Sequence, residues 1–167
     1  KTSVAIIGCG TEGMLAMSLA DYLGANITGI DINQAKLEKV KSSFPNIQTL
    51  LPDDAKGKLF DIVIEAAGAR SSFEKGVELV KPGGAMILVG ITQEATIPVI
   101  HVVRKEITLL GSIIYNLPDD FLKSIEYLSK EDFNADPIIS KIYHFTDYVK
   151  AYEDAASGKF GNELLFK

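Results

Sequence analysis

Near its start the chain reads Gly8-Cys9-Gly10-Thr11-Glu12-Gly13. Glycine therefore stands at the first, third and sixth positions, directly after the apolar run Val4–Gly8 and at the head of an amphipathic stretch. In that setting each glycine has a task. Gly8 permits a tight turn. Gly10, without a Cβ, lets a pyrophosphate approach the backbone. Gly13 lets a helix pack close to the strand before it. The first N–H groups of that helix have no intrahelical acceptor, and with the helix dipole they receive phosphate. Thr11 and Glu12 fall in the same first turn. Asp31 follows 18 residues beyond Gly13, at the end of a second apolar run. A carboxylate there accepts both hydroxyls of an adenosine ribose and repels a 2′-phosphate, which favours NAD over NADP. Capping of the next helix is a competing task for Asp31, and Asn33 is placed to take it.

Other reactive side chains are scattered. His101 sits in a short apolar stretch and reads as a core or interface residue. His144, between Tyr143 and Phe145, reads as structural. Cys9 could have its thiol activated by a helix start, but small-residue packing is the plainer reading. Glu65 follows an apolar run, where a catalytic acid could stand. Tyr22, Tyr127, Tyr148 and Tyr152 read as helix-face packing. Asp53 and Asp54 read as a solvated loop or helix start, and Asp119 and Asp120 as favourable charge at a helix N-terminus.

Elements that alternate strand and helix must position these groups. Strands are expected at Val4–Gly8, Asn26–Ile30, Ile47–Leu50, Asp61–Glu65, Met86–Val89 and Ile107–Ser112. Helices are expected at Glu12–Leu23, Asn33–Ser42 and Ser71–Val80, the last begun by Ser71 or Ser72 and stopped by Pro82-Gly83-Gly84. This order predicts an α/β fold, a doubly wound parallel sheet of the Rossmann kind. Residues 1–117 form that core. Residues 118–167 form an extension with helices at Asp119–Ser129 and Asp147–Ser157, the latter ending at Gly158. Its strands are Ile138–Tyr143 and Leu164–Phe166, and it need not share the sheet.

At 167 residues the chain suits a single module. Its 47% hydrophobic and 23% charged residues exclude disorder. No apolar run approaches the length needed to cross a bilayer. A net charge of −5, with no basic stripe, argues against nucleic-acid binding. One cysteine excludes an internal disulfide and fits a cytoplasmic setting. The abrupt start at Lys1, with no signal peptide visible, reads as a processed or excised module.

Taken together, V-A-I-I-G-C-G-T-E-G, G-I-D-I-N-Q-A-K-L, F-D-I-V-I-E-A-A-G, V-K-P-G-G-A-M-I-L-V-G-I, R-K-E-I-T-L-L-G-S and A-S-G-K resemble the medium-chain, zinc-type alcohol and polyol dehydrogenases. The resemblance covers only the cofactor-binding half of such an enzyme and its C-terminal tail. It implies that Asp31 holds the adenosine ribose, with Ile32 against the adenine and Lys36 near the ribose. Ala66 and Ala67 line the cofactor cleft, and the backbones of Val89, Ser112 and Ile114 meet the nicotinamide amide. Glu65 becomes a conformational support. Residues 97–112 match the region through which such enzymes form dimers, so a homo-oligomer is expected. Zinc, its ligands and the proton relay would lie in an N-terminal catalytic domain absent here, leaving this chain inactive alone. Two positions depart from the pattern. Glu12 replaces the usual Val or Ile near the nicotinamide, and Asn162 stands where many relatives place Lys or Arg.

Two other readings use the same features. An S-adenosylmethionine-dependent methyltransferase shares the glycine loop, the acid and the Pro-Gly-Gly turn, but its third glycine more often falls one residue earlier. A non-catalytic nucleotide-sensing module also uses a lone dinucleotide-type domain, though usually without Lys-Pro-Gly-Gly.

Overall fold

The computed structural model describes residues 1–157 and the backbone of 164–166. Gly158 and Asn162 lie outside the described residues, as does the second half of the A-S-G-K tail.

Six parallel strands form the main sheet: β1 (Ser3–Ile7), β2 (Asn26–Ile30), β3 (Gln48–Leu50), β4 (Phe60–Glu65), β5 (Val80–Leu88) and β6 (Thr108–Gly111), in the order β3-β2-β1-β4-β5-β6. That order reverses direction at β1, as a doubly wound sheet requires. Alternation along β1 sends Val4 and Ile6 to one face and Ala5 and Ile7 to the other. On the first face they meet Met14 and Met17 of α1 (Thr11–Tyr22) and Leu37 and Val40 of α2 (Gln34–Ser43). On the second they meet Val77 of α3 (Arg70–Glu78) and Val102 of α4 (Val99–Lys105). Strands buried on both faces read as unbroken apolar runs, which is how β1 and β4 appear.

Around the main sheet the structure differs from expectation at two places. Helix α3 stops at Glu78, and Pro82-Gly83-Gly84 lies inside β5 instead of ending the helix. Phe60 N–H donates to the Leu79 carbonyl at 2.8 Å, so pairing with β4 begins before the Pro-Gly-Gly turn. The register then slips between Phe60 and Ile62, where Gly83 takes φ +73° and a Cβ at Gly84 would lie 2.8 Å from the Asp61 carbonyl oxygen. The second difference is α4, absent from the expectation. Its β-branched Val-Ile-His-Val-Val sequence resembles a strand, but it is helical, with Val102 of α4 and Ile97 just before it packed on the second core. His101 lies exposed on it, so it is not a core residue.

The extension contains α5 (Asp119–Leu128), β7 (Lys141–Tyr143), α6 (Tyr148–Ala156) and β8 (Leu164–Phe166). Strands β7 and β8 pair parallel in a sheet of their own. The expected strand at 138–143 starts later, because Asp136–Ile138 is a 3-10 turn that buries Ile138 against the first core. Tyr22, Tyr127 and Phe133 join α1 to α5 edge-on, with Tyr22–Tyr127 centroids 5.9 Å apart and Tyr22–Phe133 centroids 5.5 Å apart. Tyr148 and Tyr152 are exposed instead of packed. Among the described residues, no helix is long and apolar enough to cross a membrane.

Candidate functional site

The site grows from the C-terminal ends of β1 and β2. Gly8 N–H donates to the Ile30 carbonyl at 2.8 Å, joining the strand ends. Gly8 has φ +98°, and a Cβ on it would fall 2.7 Å from Ala67 N, so only glycine fits the turn. The loop then rises to Gly10, which caps α1 with no side-chain hydrogen bond. A Cβ at Gly10 would meet nothing within 4 Å, so the helix start faces open space. At Gly13 the reverse holds. A Cβ there would sit 1.8 Å from the Gly8 carbonyl oxygen, so α1 leans directly on the turn. Thr11 is half-buried and Glu12 is exposed; among the described residues Glu12 forms no ion pair.

Asp31 ties the loop to the next strand. One carboxylate oxygen accepts from Cys9 N–H at 2.7 Å and the other from Asn33 N–H at 2.8 Å. Asn33 itself caps α2, accepting from Ala35 N–H at 2.9 Å. Capping therefore belongs to Asn33, and Asp31 bridges loop and helix. An ionised carboxylate has about four acceptor positions, so two protein hydrogen bonds leave room for a ligand. Asp31 is 8% exposed and borders a cleft of about 460 Å³.

That cleft is walled by Gly8, Asp31 and Ile32 on one side and by the start of α3 on the other. Ile32 is 85% exposed, a bare apolar surface beside a carboxylate. Of the expected site residues, Gly8, Asp31, Ile32 and Ala67 border the cleft. Gly10, Thr11, Glu12 and Gly13 stand at the neighbouring helix start. Lys36 is exposed on α2, its charge near enough to act on the Cys9 thiol. Ala66 and Ala67 follow β4, with Ala66 N–H donating to the Ile7 carbonyl at 2.8 Å. Val89 and Ser112 follow β5 and β6; Ser112 N–H reaches the Leu88 carbonyl at 2.9 Å. Ile114 is exposed at φ +53°, a left-handed conformation unusual for a β-branched residue.

Sequence reasoning missed several cleft residues. Ser71, Ser72, Lys56 and Lys75 line it, and Lys75 approaches Asp53 at 3.5 Å. From the sequence the serines read only as a helix start. A helix that follows β4 necessarily presents its first turn beside the β1 turn, and that signal could have placed them.

Glu65 is fully buried. One of its carboxylate oxygens accepts from Ala67 N–H and Gly68 N–H, both at 3.0 Å, and from the Ser72 hydroxyl at 2.6 Å. It supports the loop after β4 and has no access to a reacting group. Cys9 is buried too. Desolvation, then the nearby Asp31 carboxylate, pushes its thiol up to about 12, outweighing Lys36. The helix start therefore does not activate it. His144 is exposed, its ring 2.8 Å from the Thr146 hydroxyl at a 3-10 turn. Among the described residues, no three His, Cys, Asp or Glu side chains are grouped to hold a metal ion.

An uncapped helix start, a carboxylate at the adjacent strand end and a cleft at the reversal of strand order together form a nucleotide-type site. A family model described as zinc-binding dehydrogenase matches residues 13–130. The D-xylulose reductase of Saccharomyces cerevisiae is 28% identical over 172 aligned positions, covering 94% of this chain and 48% of the relative. A probable D-xylulose reductase A of Arthroderma otae is 27% identical with the same coverage. Among solved structures, L-idonate 5-dehydrogenase of Escherichia coli superposes with a TM-score of 0.85 at 27% identity, covering 99% of this chain and 49% of that one. Galactitol-1-phosphate dehydrogenase of Escherichia coli gives 0.81 at 26% identity, covering 98% and 52%. The chain thus spans about half the length of the relatives it matches. Sheet order, glycine turn and family match coincide on one conclusion: this chain belongs to the zinc-binding dehydrogenase family.

Proposed function

We propose that this chain binds NAD(H) across the C-terminal ends of its strands, and that it is the cofactor half of an alcohol or polyol dehydrogenase. One observation carries the reading: Asp31 borders the cleft beside a helix start that has neither side-chain cap nor Cβ. The N–H groups at Gly10–Gly13 receive the pyrophosphate. Asp31 accepts from the adenosine ribose hydroxyls, Lys36 reaches the same ribose, and Ile32 lies against the adenine. Ala66 and Ala67 wall the cleft, and the backbones at Val89, Ser112 and Ile114 hold the nicotinamide amide. When bound, the nicotinamide supplies hydride acceptance and donation; the protein's part is to orient it.

In the whole enzyme, a catalytic domain outside this chain would hold the family's zinc, whose Lewis acidity serves the alcohol oxygen. The relatives' names, a xylulose reductase and dehydrogenases of idonate and galactitol phosphate, support a polyol substrate. Residues 1–117 then act as the cofactor core and 118–167 as an extension that packs partly on the catalytic domain. A homo-oligomer is supported by edge strand β6 with its exposed Leu110 and by the exposed Val99, Ile100 and Val103 of α4. A cytoplasmic setting fits a single, buried cysteine. Membership of the dehydrogenase family sets the methyltransferase reading aside.

Fluorescence titration with NADH and NADPH tests the proposal. NADH should bind, NADPH should bind at least about tenfold more weakly, and Asp31→Ala should lower NADH affinity by about 1.5–3 kcal/mol, the worth of a hydrogen bond to a charged group. Equal or tighter binding of NADPH would refute the ribose assignment.

A further inference from the structure

Glu65 has two carboxylate oxygens in opposite circumstances. Oε1 accepts from Ala67 N–H, Gly68 N–H and the Ser72 hydroxyl. Oε2 is buried and receives no hydrogen bond. It lies 2.4 Å from where a Cβ on Gly90 would stand, and that same Cβ would lie 2.3 Å from Gly68 N. The main-chain carbonyl of Glu65 accepts from Val89 N–H and Gly90 N–H, each at 2.9 Å. One residue therefore fastens the loop after β4 with its side chain and the loop after β5 with its backbone. Its free oxygen fills the seam where Gly68 and Gly90 touch. An unpartnered buried oxygen is costly, and such groups in native structures call for an explanation.

The position of the seam supplies one. Asp31 and Ile32 mark the adenosine end of the crevice, and the pyrophosphate end is the start of α1. The ends of β4 and β5 lie on the other side of the strand-order reversal, where the remaining half of a dinucleotide extends. We propose that Glu65 is a positioning residue for the nicotinamide half of the cofactor, acting through the Gly68–Gly90 seam; this rests on the dinucleotide reading above.

The side chain is asymmetric, and so is the test. Glu65→Gln keeps a carbonyl oxygen on the three donors only by turning its NH2 toward Gly90. The substitution therefore leaves the Ala67 side intact and places two N–H groups in the seam. Gly90→Ala presses on the same seam from the other side. Each variant is compared with the unaltered chain for NADH, by fluorescence, and for ADP-ribose, which lacks the nicotinamide, by calorimetry. The expected result is about tenfold weaker NADH binding, the effect of one unsatisfied buried group, with ADP-ribose affinity unchanged in both variants. Parallel loss of both ligands, or of neither, overturns the proposal. So does an unaltered chain that binds the two equally. A variant that fails to fold by circular dichroism also counts against it, because the residue would then serve the whole fold and not one half of the crevice. Binding of neither ligand by the unaltered chain refutes the dinucleotide reading itself, an outcome distinct from the others.

Discussion

Gly10 and Gly13 lie three residues apart, one capping α1 and the other in its first turn, and the structure assigns them opposite responses to the same methyl group. A Cβ on Gly13 would stand 1.8 Å from the Gly8 carbonyl oxygen, 2.9 Å from the Gly8 carbonyl carbon and 3.6 Å from Ile6 Cγ2. Restoring ordinary packing requires α1 to retreat by roughly 1 Å or more. Overpacking of this kind costs about 1–3 kcal/mol, which for a domain of this size lowers Tm by roughly 2–12 °C. A Cβ on Gly10 meets no protein atom within 4 Å, and its φ of −83° is ordinary for alanine. Stability should therefore change by no more than about 0.5 kcal/mol. The methyl group would instead occupy the space proposed above for the pyrophosphate, displacing a charge-assisted contact worth about 1.5–3 kcal/mol, or roughly 10–100-fold in affinity. Thermal denaturation and NADH titration of Gly10→Ala and Gly13→Ala separate the two effects. If Gly10→Ala binds NADH as tightly as the parent, the phosphate does not lie over the helix start, and the argument from the open N-terminus fails.

Glu12→Val should tighten NADH binding a few-fold by removing a like charge from the phosphate end of α1; unchanged or weaker binding, read by the same titration, would show that Glu12 does not act on the cofactor. Cys9, with its thiol held up at about 12 by burial and by Asp31, should react slowly with a disulfide reagent at pH 8 and at ordinary rate in denaturant; rapid native reaction would refute its burial. Asp61 accepts from Ser3 N–H at 2.7 Å, from the Ser3 hydroxyl at 2.6 Å and from Lys81 at 2.9 Å, and the Ser3 hydrogen bonds foremost hold its carboxyl well below the usual carboxylate range. A depressed folded-state value means that the stabilisation is present above the unfolded value near 4 and is lost as pH falls toward the folded one. The Tm gap between the parent and Asp61→Asn should accordingly be largest near neutrality and close progressively below about pH 4; a gap independent of pH would refute the assignment.

The first half of the fold was legible in the sequence because its signals are local. Strand β2 matches its expected limits, and β1, α1 and α2 differ by a residue or so at their ends. Asn33 caps α2 as its type and place imply. What local signals could not convey was context. Pro82-Gly83-Gly84 is a helix-stopping sequence, yet it became an irregularity within β5 once Phe60 paired with the residues before it. Residues 99–105 are rich in β-branched side chains, which favour strand, yet they form α4, from which Val102 packs on the second core. In the site, the glycine turn and Asp31 were evident from spacing. The serines and lysines of α3 and the β3–β4 loop were not, because nothing in their sequence shows that the fold carries them to the β1 turn.

The strand order also has a consequence in time. β1 is the centre of the sheet, but its second neighbour arrives late: Ser3 and Asp61, bonded where β1 and β4 begin, lie 58 residues apart. As the chain leaves the ribosome, β1, β2 and β3 can assemble while the other edge of β1 is still bare. Until β4 emerges, that edge offers unpaired N–H and C=O groups along some of the most apolar residues of the protein. Parallel pairing over such distances is intrinsically slow. The interval before Phe60–Glu65 docks is therefore one in which this part of the newborn chain is exposed to self-association, and in which a chaperone has an edge to protect.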